Sequence, residues 1–147
     1  MTQNIAVIVM NTPLSDGLGI DFATECAEKK FYAVLLLAKD ILFSQIEAKT
    51  SPHEIFTLPD NADEKTLRQS LIVLVSTAKK LEKIKNGNDE QKNKARELKF
   101  ISRAKMILIS SFGMNEEQAH KYIEQRAMES RKTKKAIAQS IINSYGN

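Results

Sequence analysis

Three short segments with strand-like patterns, each separated from the next by a helical segment, limit the folds open to this chain. The segments are two apolar runs at residues 5–10 and 32–38 and a third, mixed segment at 53–58 that Pro59 and Asp60 stop. Short apolar runs rich in branched residues and closed by loop residues are typical of buried strands. The segments between them, about 20–30 and 40–49, have the apolar spacing of amphipathic helices. Alternating strands and helices predict a three-stranded parallel sheet with right-handed crossovers.

The second half of the chain has only helical patterns. Apolar residues at intervals of three and four predict a long helix over residues 63–84, and the Asn-Gly-Asn sequence at 86–88 predicts a linker or hinge. A further helix over about 90–111 ends at Gly113, since glycine readily adopts the left-handed conformation. Asn115 and Thr133 are predicted to cap two more helices. The predicted core of this part consists of Ala104, Leu108, Ala119, Ile123, Ala127, Ala138 and Ile141.

The charge is distributed unevenly between the two halves. Residues 1–78 contain six Lys and Arg against ten Asp and Glu, a net charge of −4, whereas residues 79–147 contain sixteen against eight, a net charge of +8. A basic half indicates an anionic partner such as nucleic acid, although charge alone fits a solvated helical surface equally well.

Several function classes are disfavoured by the composition. One cysteine, Cys26, and two histidines argue against a disulfide and against a metal site, and they favour a reducing cytoplasm. The apolar runs are shorter than the roughly 18 residues of a membrane span, and residues 1–4 lack the positive charge of a signal peptide. No nucleophile and base are paired, and no glycine-rich phosphate loop is present, so neither an enzyme nor a cofactor is expected.

A series of motifs in the last third of the chain resembles the ANTAR family. The motifs lie at residues 101–108, 113–119, 122–128 and 136–142, in order and correctly spaced. The resemblance implies an all-α three-helix RNA-binding domain over 98–147, preceded by a linker or the start of a coiled-coil helix at 85–97. It also implies a homodimer that recognises paired hairpin loops in a nascent leader transcript and prevents a terminator from forming.

The RNA-binding residues are predicted partly from this resemblance and partly from charge. Lys105 and Arg126 are carried over from the family motif. Arg131, Lys132, Lys134 and Lys135 crowd around the start of the last helix, where they oppose the helix dipole, and this placement indicates an anionic partner. Tyr122 is also assigned to RNA binding because it could stack on an unpaired base, although a tyrosine on an amphipathic helix is more often partly buried.

The first part of the chain, residues 1–84, resembles part of a response-regulator receiver domain, beginning at its third strand. The resemblance places Asn11 where a receiver has its phosphate-accepting aspartate, Leu37 where it has a hydroxyl residue, and Leu58 where it has a lysine. An amide cannot act as the nucleophile, so a pseudo-receiver that is not phosphorylated is expected. Because the first two receiver strands are missing, either the polypeptide begins upstream of Met1 or the remnant serves as a dimerisation platform.

Two alternatives to RNA binding remain open at this point. The chain could be a protein-interaction adaptor related to two-component signalling, in which the basic module binds an acidic protein partner. It could also bind double-stranded DNA through its last two helices, which is disfavoured because the turn at Arg131 is crowded with charge and lacks a glycine. Switching without phosphorylation would require a regulatory protein partner, a ligand or a change in concentration.

Overall fold

A computed structural model describes residues 7–14, 17, 19–29, 33–50, 55–84 and 89–145. The chain divides into two compact units. One comprises residues 1–62 and 74–85, and the other comprises residues 63–73 and 86–147. The predicted helix over 63–84 is present as a single helix, but its two halves belong to different units.

The first unit is an α/β layer built on a three-stranded parallel sheet, as the sequence predicts. The strands lie in the order β1-β2-β3, with β2 in the centre. Residues 5–6, 32 and 53–54, which begin the three predicted strands, lie outside the described residues. The elements are β1 (Val7–Thr12), α1 (Ile20–Lys29), β2 (Ala33–Ala38), α2 (Asp40–Thr50) and β3 (Phe56–Pro59).

The core of this unit forms where the two helices cover the central strand. β2 is almost entirely buried, which explains why its sequence is a continuous apolar run rather than an alternating one. The Thr50 hydroxyl is buried at the end of α2 and donates to the Ile46 carbonyl at 2.8 Å, so this polar group is satisfied. The buried cluster contains Ala23, Cys26, Ala27, Val34, Leu36, Ala38, Ile46 and Ile55.

The second unit is entirely helical. It combines the first part of α3 (Glu64–Ile84) with α4 (Asp89–Phe112), α5 (Glu116–Ser130) and α6 (Lys134–Tyr145). The predicted linker at 86–88 lies outside the described residues, whereas the charged segment that follows is helical from Asp89 onwards. In the described part of the chain, none of the helices is long and apolar enough to cross a membrane.

The helix ends in this unit follow the predicted capping chemistry. Gly113 has a φ of +67° directly after α4, the left-handed conformation expected of a glycine at a helix end. Asn115 begins α5 with a complete capping box, in which its side chain accepts from the Gln118 amide at 2.7 Å and Gln118 accepts from the Asn115 amide at 2.9 Å. The Thr133 hydroxyl accepts from the Ala136 amide at 3.1 Å and caps α6.

The predicted helical core is confirmed. The seven residues predicted to form it are all buried, and four of them are alanines that let short helices approach closely. Together, the buried sheet and the capped helices confirm the fold class predicted from the sequence: a partial α/β layer followed by a three-helix module.

Candidate nucleic-acid interface

The predicted basic cluster lies on the tight three-residue turn between α5 and α6, which holds Arg131 and Lys132, and on the start of α6, which holds Lys134 and Lys135. Arg131 has a φ of +54° and a ψ of +38°. This arginine therefore adopts the left-handed conformation that glycine adopts more readily. The Lys132 amide donates to the Ala127 carbonyl at 3.0 Å and closes the end of α5. The backbone of the turn therefore fixes where its cations lie.

A groove of about 470 Å³ runs between α5 and α6. It brings together three of the residues predicted to bind RNA, namely Tyr122, Arg126 and Lys132. The Arg126 guanidinium lies 5.7 Å from the centre of the Tyr122 ring, within the range of a cation–π contact. The groove is lined by Tyr122, Arg126, Glu129, Ser130, Lys132, Ala136, Ile137, Ser140, Ile141, Ser144 and Tyr145.

Three cations of the cluster, in the turn and in the first turn of α6, carry charges that are unpaired among the described residues. Arg131, Lys132 and Lys135 are exposed, and none of them forms an ion pair with a residue in the ranges that the structure describes. The first turn of α6 contains no acidic residue, so its helix dipole is not offset there by a carboxylate within that turn. These cations are available to phosphate groups.

Lys134 differs from its neighbours because it is paired within the hairpin. Its ammonium group lies 3.1 Å from Oε1 of Glu124 on α5. The Lys134 hydrogen bond is the main reason why the pKa of Glu124 lies below its ordinary value, and the charges of His120 and Lys134 add to the effect. Lys134 therefore joins the two helices of the hairpin.

Lys105, carried over from the family motif, is not brought to the groove. Its side chain is only 9% exposed, and its Nζ lies 3.1 Å from Oε1 of Glu116, the first residue of α5. The ion pair joins α4 to the start of α5 inside the helical unit. The structure thus gives this ammonium group a carboxylate partner within the protein, and Lys105 is not among the residues that line the groove.

Eight of the eleven groove residues were not predicted to bind RNA: Ala136, Ile137 and Ile141, and also Glu129, Ser130, Ser140, Ser144 and Tyr145. A periodic signal for the last three was present, because they continue at intervals of three and four from Ile137 and Ile141 along one side of α6. That side could be assigned to a groove only once the partner helix was placed against it.

The first half of α3 is attached to the corner between α4 and α5. The Lys65 ammonium donates to the Gly113 carbonyl at 2.9 Å, and the Gln69 side-chain oxygen accepts from the Glu116 amide at 2.8 Å. The Gly113 carbonyl and the Glu116 amide are backbone groups at helix ends, where the helices themselves supply no hydrogen-bond partner. Residues 63–73 therefore complete the helical unit, a role that the sequence alone did not indicate.

In the first unit, the three positions that the resemblance aligns with functional residues of a receiver lie side by side. Asn11 on β1 is in register with Leu37 on β2, and Leu37 is in register with Leu58 on β3. They form one row across the sheet near the carboxyl ends of the strands, the usual place for sites in parallel sheets. The row holds an amide and two aliphatic side chains.

The fold and the groove define a two-part chain in which an α/β unit precedes a three-helix module with a basic helical hairpin. Residues 90–142 match the ANTAR domain family, so the chain contains an ANTAR domain, as its motifs predict. The chain is also 23% identical over 140 residues to the protein named transcriptional regulatory protein PdtaR of Mycobacterium tuberculosis, in strain CDC 1551 / Oshkosh and in strain ATCC 25618 / H37Rv. The match covers 95% of this chain and 68% of PdtaR.

Proposed function

We propose that this protein is an RNA-binding transcription antiterminator whose ANTAR domain recognises hairpin loops in leader transcripts. The observation that carries the proposal is the groove between α5 and α6, in which Tyr122, Arg126 and Lys132 meet within the ANTAR match. Cations beside an aromatic ring suit RNA loops, because unpaired bases stack on aromatic side chains while their phosphates take up the positive charge.

The strength of the electrostatic contribution follows from the cations at and beside the groove. Arg126, Arg131, Lys132 and Lys135 are exposed, and each can contact one phosphate. Four contacts to single-stranded RNA give a slope of about −3 in a plot of the logarithm of the binding constant against the logarithm of the salt concentration.

Regulation in this proposal does not use phosphorylation. Asn11, Leu37 and Leu58 supply neither a nucleophile nor a charged group to the receiver-like row, so the first unit acts as a pseudo-receiver. The signal that switches RNA binding would come from a partner protein, a ligand or a change in protein concentration.

Homodimerisation through the long helices is part of the same proposal. Ile72 and Val75 are exposed apolar side chains three residues apart on α3. A second copy of α3 packed on this pair would bury both side chains, as in a coiled coil. Dimers would present two basic hairpins to two RNA loops.

The proposal is tested by fluorescence anisotropy of a labelled leader RNA that carries two hairpins, titrated with the full chain at several salt concentrations. R126A is expected to weaken binding and to reduce the salt slope by about 1. K121A is the matched control, because Lys121 is an exposed cation on the same helix, pairs with Glu117 and does not line the groove. It should bind as the unmodified protein does.

Two results would contradict the proposal. In one, the unmodified chain retains no leader RNA even at low salt; in the other, R126A and K121A weaken binding equally. Capture of an acidic protein partner, without salt-dependent retention of RNA, would instead favour the adaptor function.

A further inference from the structure

Tyr145 places an exposed aromatic ring at one end of the groove. It lies in the last turn of α6, it lines the groove, and it is 54% exposed. It also lies beyond residue 142, where the match to the ANTAR family ends. Its position is therefore a property of this chain's own fold rather than of the matched motif.

The ring is held in place by a second aromatic residue. Phe112, at the end of α4, packs against Tyr145 with ring centres 5.1 Å apart and the ring planes perpendicular. In a perpendicular pair, the edge of one ring meets the face of the other. Whichever ring contributes the edge, at least one face of Tyr145 remains uncovered by Phe112.

Tyr122, the other aromatic residue of the groove, is less available for stacking. It is half-buried, and the Arg126 guanidinium lies over its ring. One face of Tyr122 is thus already occupied by a cation, which in turn is held where it can reach a phosphate. Tyr145 therefore has a ring face on which a base can stack, whereas Tyr122 positions a cation for a phosphate.

From this difference we infer that Tyr145 is a stacking platform for one unpaired RNA base, positioned by Phe112, while Arg126 contacts a phosphate of the same loop. This inference rests on the RNA-binding function proposed above and specifies which part of the RNA the groove receives. A volume of about 470 Å³ lies in the range of small-molecule sites and accommodates a single nucleotide. The bases of a paired helix are stacked on one another and do not offer a face to a protein ring, so the groove selects loop nucleotides.

The experiment uses the full chain and hairpin RNAs in which one loop position at a time carries 2-aminopurine, whose fluorescence is quenched when it stacks. At one loop position, the unmodified protein should quench the probe. Y145F keeps the ring and should quench equally, whereas Y145L should lose the quenching and bind about 5- to 150-fold more weakly. F112L keeps Tyr145 but removes its aromatic support, and should quench less than the unmodified protein.

A second measurement keeps the inference testable if Y145L folds poorly. An abasic residue at the quenched loop position should weaken binding of the unmodified protein and of Y145F by the same 5- to 150-fold, because it removes the stacked base. Tolerance of an abasic residue at every loop position by the unmodified protein would overturn the inference. So would quenching and affinity in a folded Y145L that equal those of the unmodified protein.

The outcomes separate this inference from the function on which it rests. If the unmodified chain binds hairpin RNA with a salt-dependent affinity but the base at Tyr145 contributes nothing, only the stacking platform fails. If the unmodified chain binds no hairpin RNA at all, both proposals fail.

Discussion

Replacing Lys105 by methionine distinguishes a structural role of this side chain from a role in RNA binding. The Lys105 stem is buried, and its ammonium lies 3.1 Å from a Glu116 carboxylate that is 27% exposed. Methionine retains most of the apolar stem but removes the charge. Because water still reaches the Glu116 carboxylate that is left behind, and because it lies at the positive end of α5, K105M should alter the free energy of unfolding by about 1 kcal/mol or less.

Alanine at the same position removes the stem as well as the charge. Loss of buried methylene groups costs about 0.8 kcal/mol for each group, which gives about 2 to 3 kcal/mol for the Lys105 stem. The unpaired Glu116 adds little, because water still reaches it and it lies at the positive end of α5. K105A is thus expected to lower the free energy of unfolding by about 2 to 3 kcal/mol.

Two assays check this reasoning. Urea unfolding measures the stabilities of K105A and K105M, and RNA anisotropy at several salt concentrations measures whether the salt slope of K105M changes. The structure predicts an unchanged slope for K105M and a slope reduced by about 1 for R126A. A reduced slope for a folded K105M would refute the structural role and restore the RNA contact that the family resemblance implies.

Three further predictions concern the helical hairpin and its caps. R131G removes the strain of a non-glycine residue in the left-handed conformation, so the helical module should keep its stability or gain up to about 1 kcal/mol in urea unfolding. RNA affinity should fall because a cation is lost. A loss of about 2 kcal/mol of stability would contradict this prediction. N115A removes the capping box of α5 and should destabilise the module by about 1 kcal/mol, with N115D as the control that retains the cap. The pKa of Glu124 is lowered in the folded state, so its stabilising effect is present above the ordinary value of 4.5 and is lost as the pH falls below it. E124Q should flatten this part of the acid-unfolding profile, and an unchanged profile would argue against the Lys134 pair.

Much of the fold was predictable because its signals are local. The run that forms β2, the capping box at Asn115 and the glycine at 113 each depend on residues only a few positions apart. The apolar repeat likewise identified the buried alanines and isoleucines of the ANTAR domain. Such patterns need no knowledge of which elements meet.

The candidate site was predictable only in part, because its residues meet across helices. Arg126 and Lys132 could be selected by motif and charge, but Tyr145 joins them only when α6 packs along α5 and Phe112 supports its ring. Lys105 could be named as a cation, yet its partner Glu116 lies eleven residues away across a helix corner. The sequence gives the identity of a side chain, whereas its exposure and its partner depend on how the helices pack.

The order of strands and helices along the chain, the helix caps and the basic second half follow from the amino-acid sequence alone. The packing of the helices was needed to show that Lys105 is paired inside the module, that the first part of α3 completes it, and that an exposed tyrosine lies at the end of the basic groove. The physical reason is that hydrogen bonding and apolar spacing within one element act over a few residues. Burial, ion pairing and ring contacts between elements depend on how those elements pack.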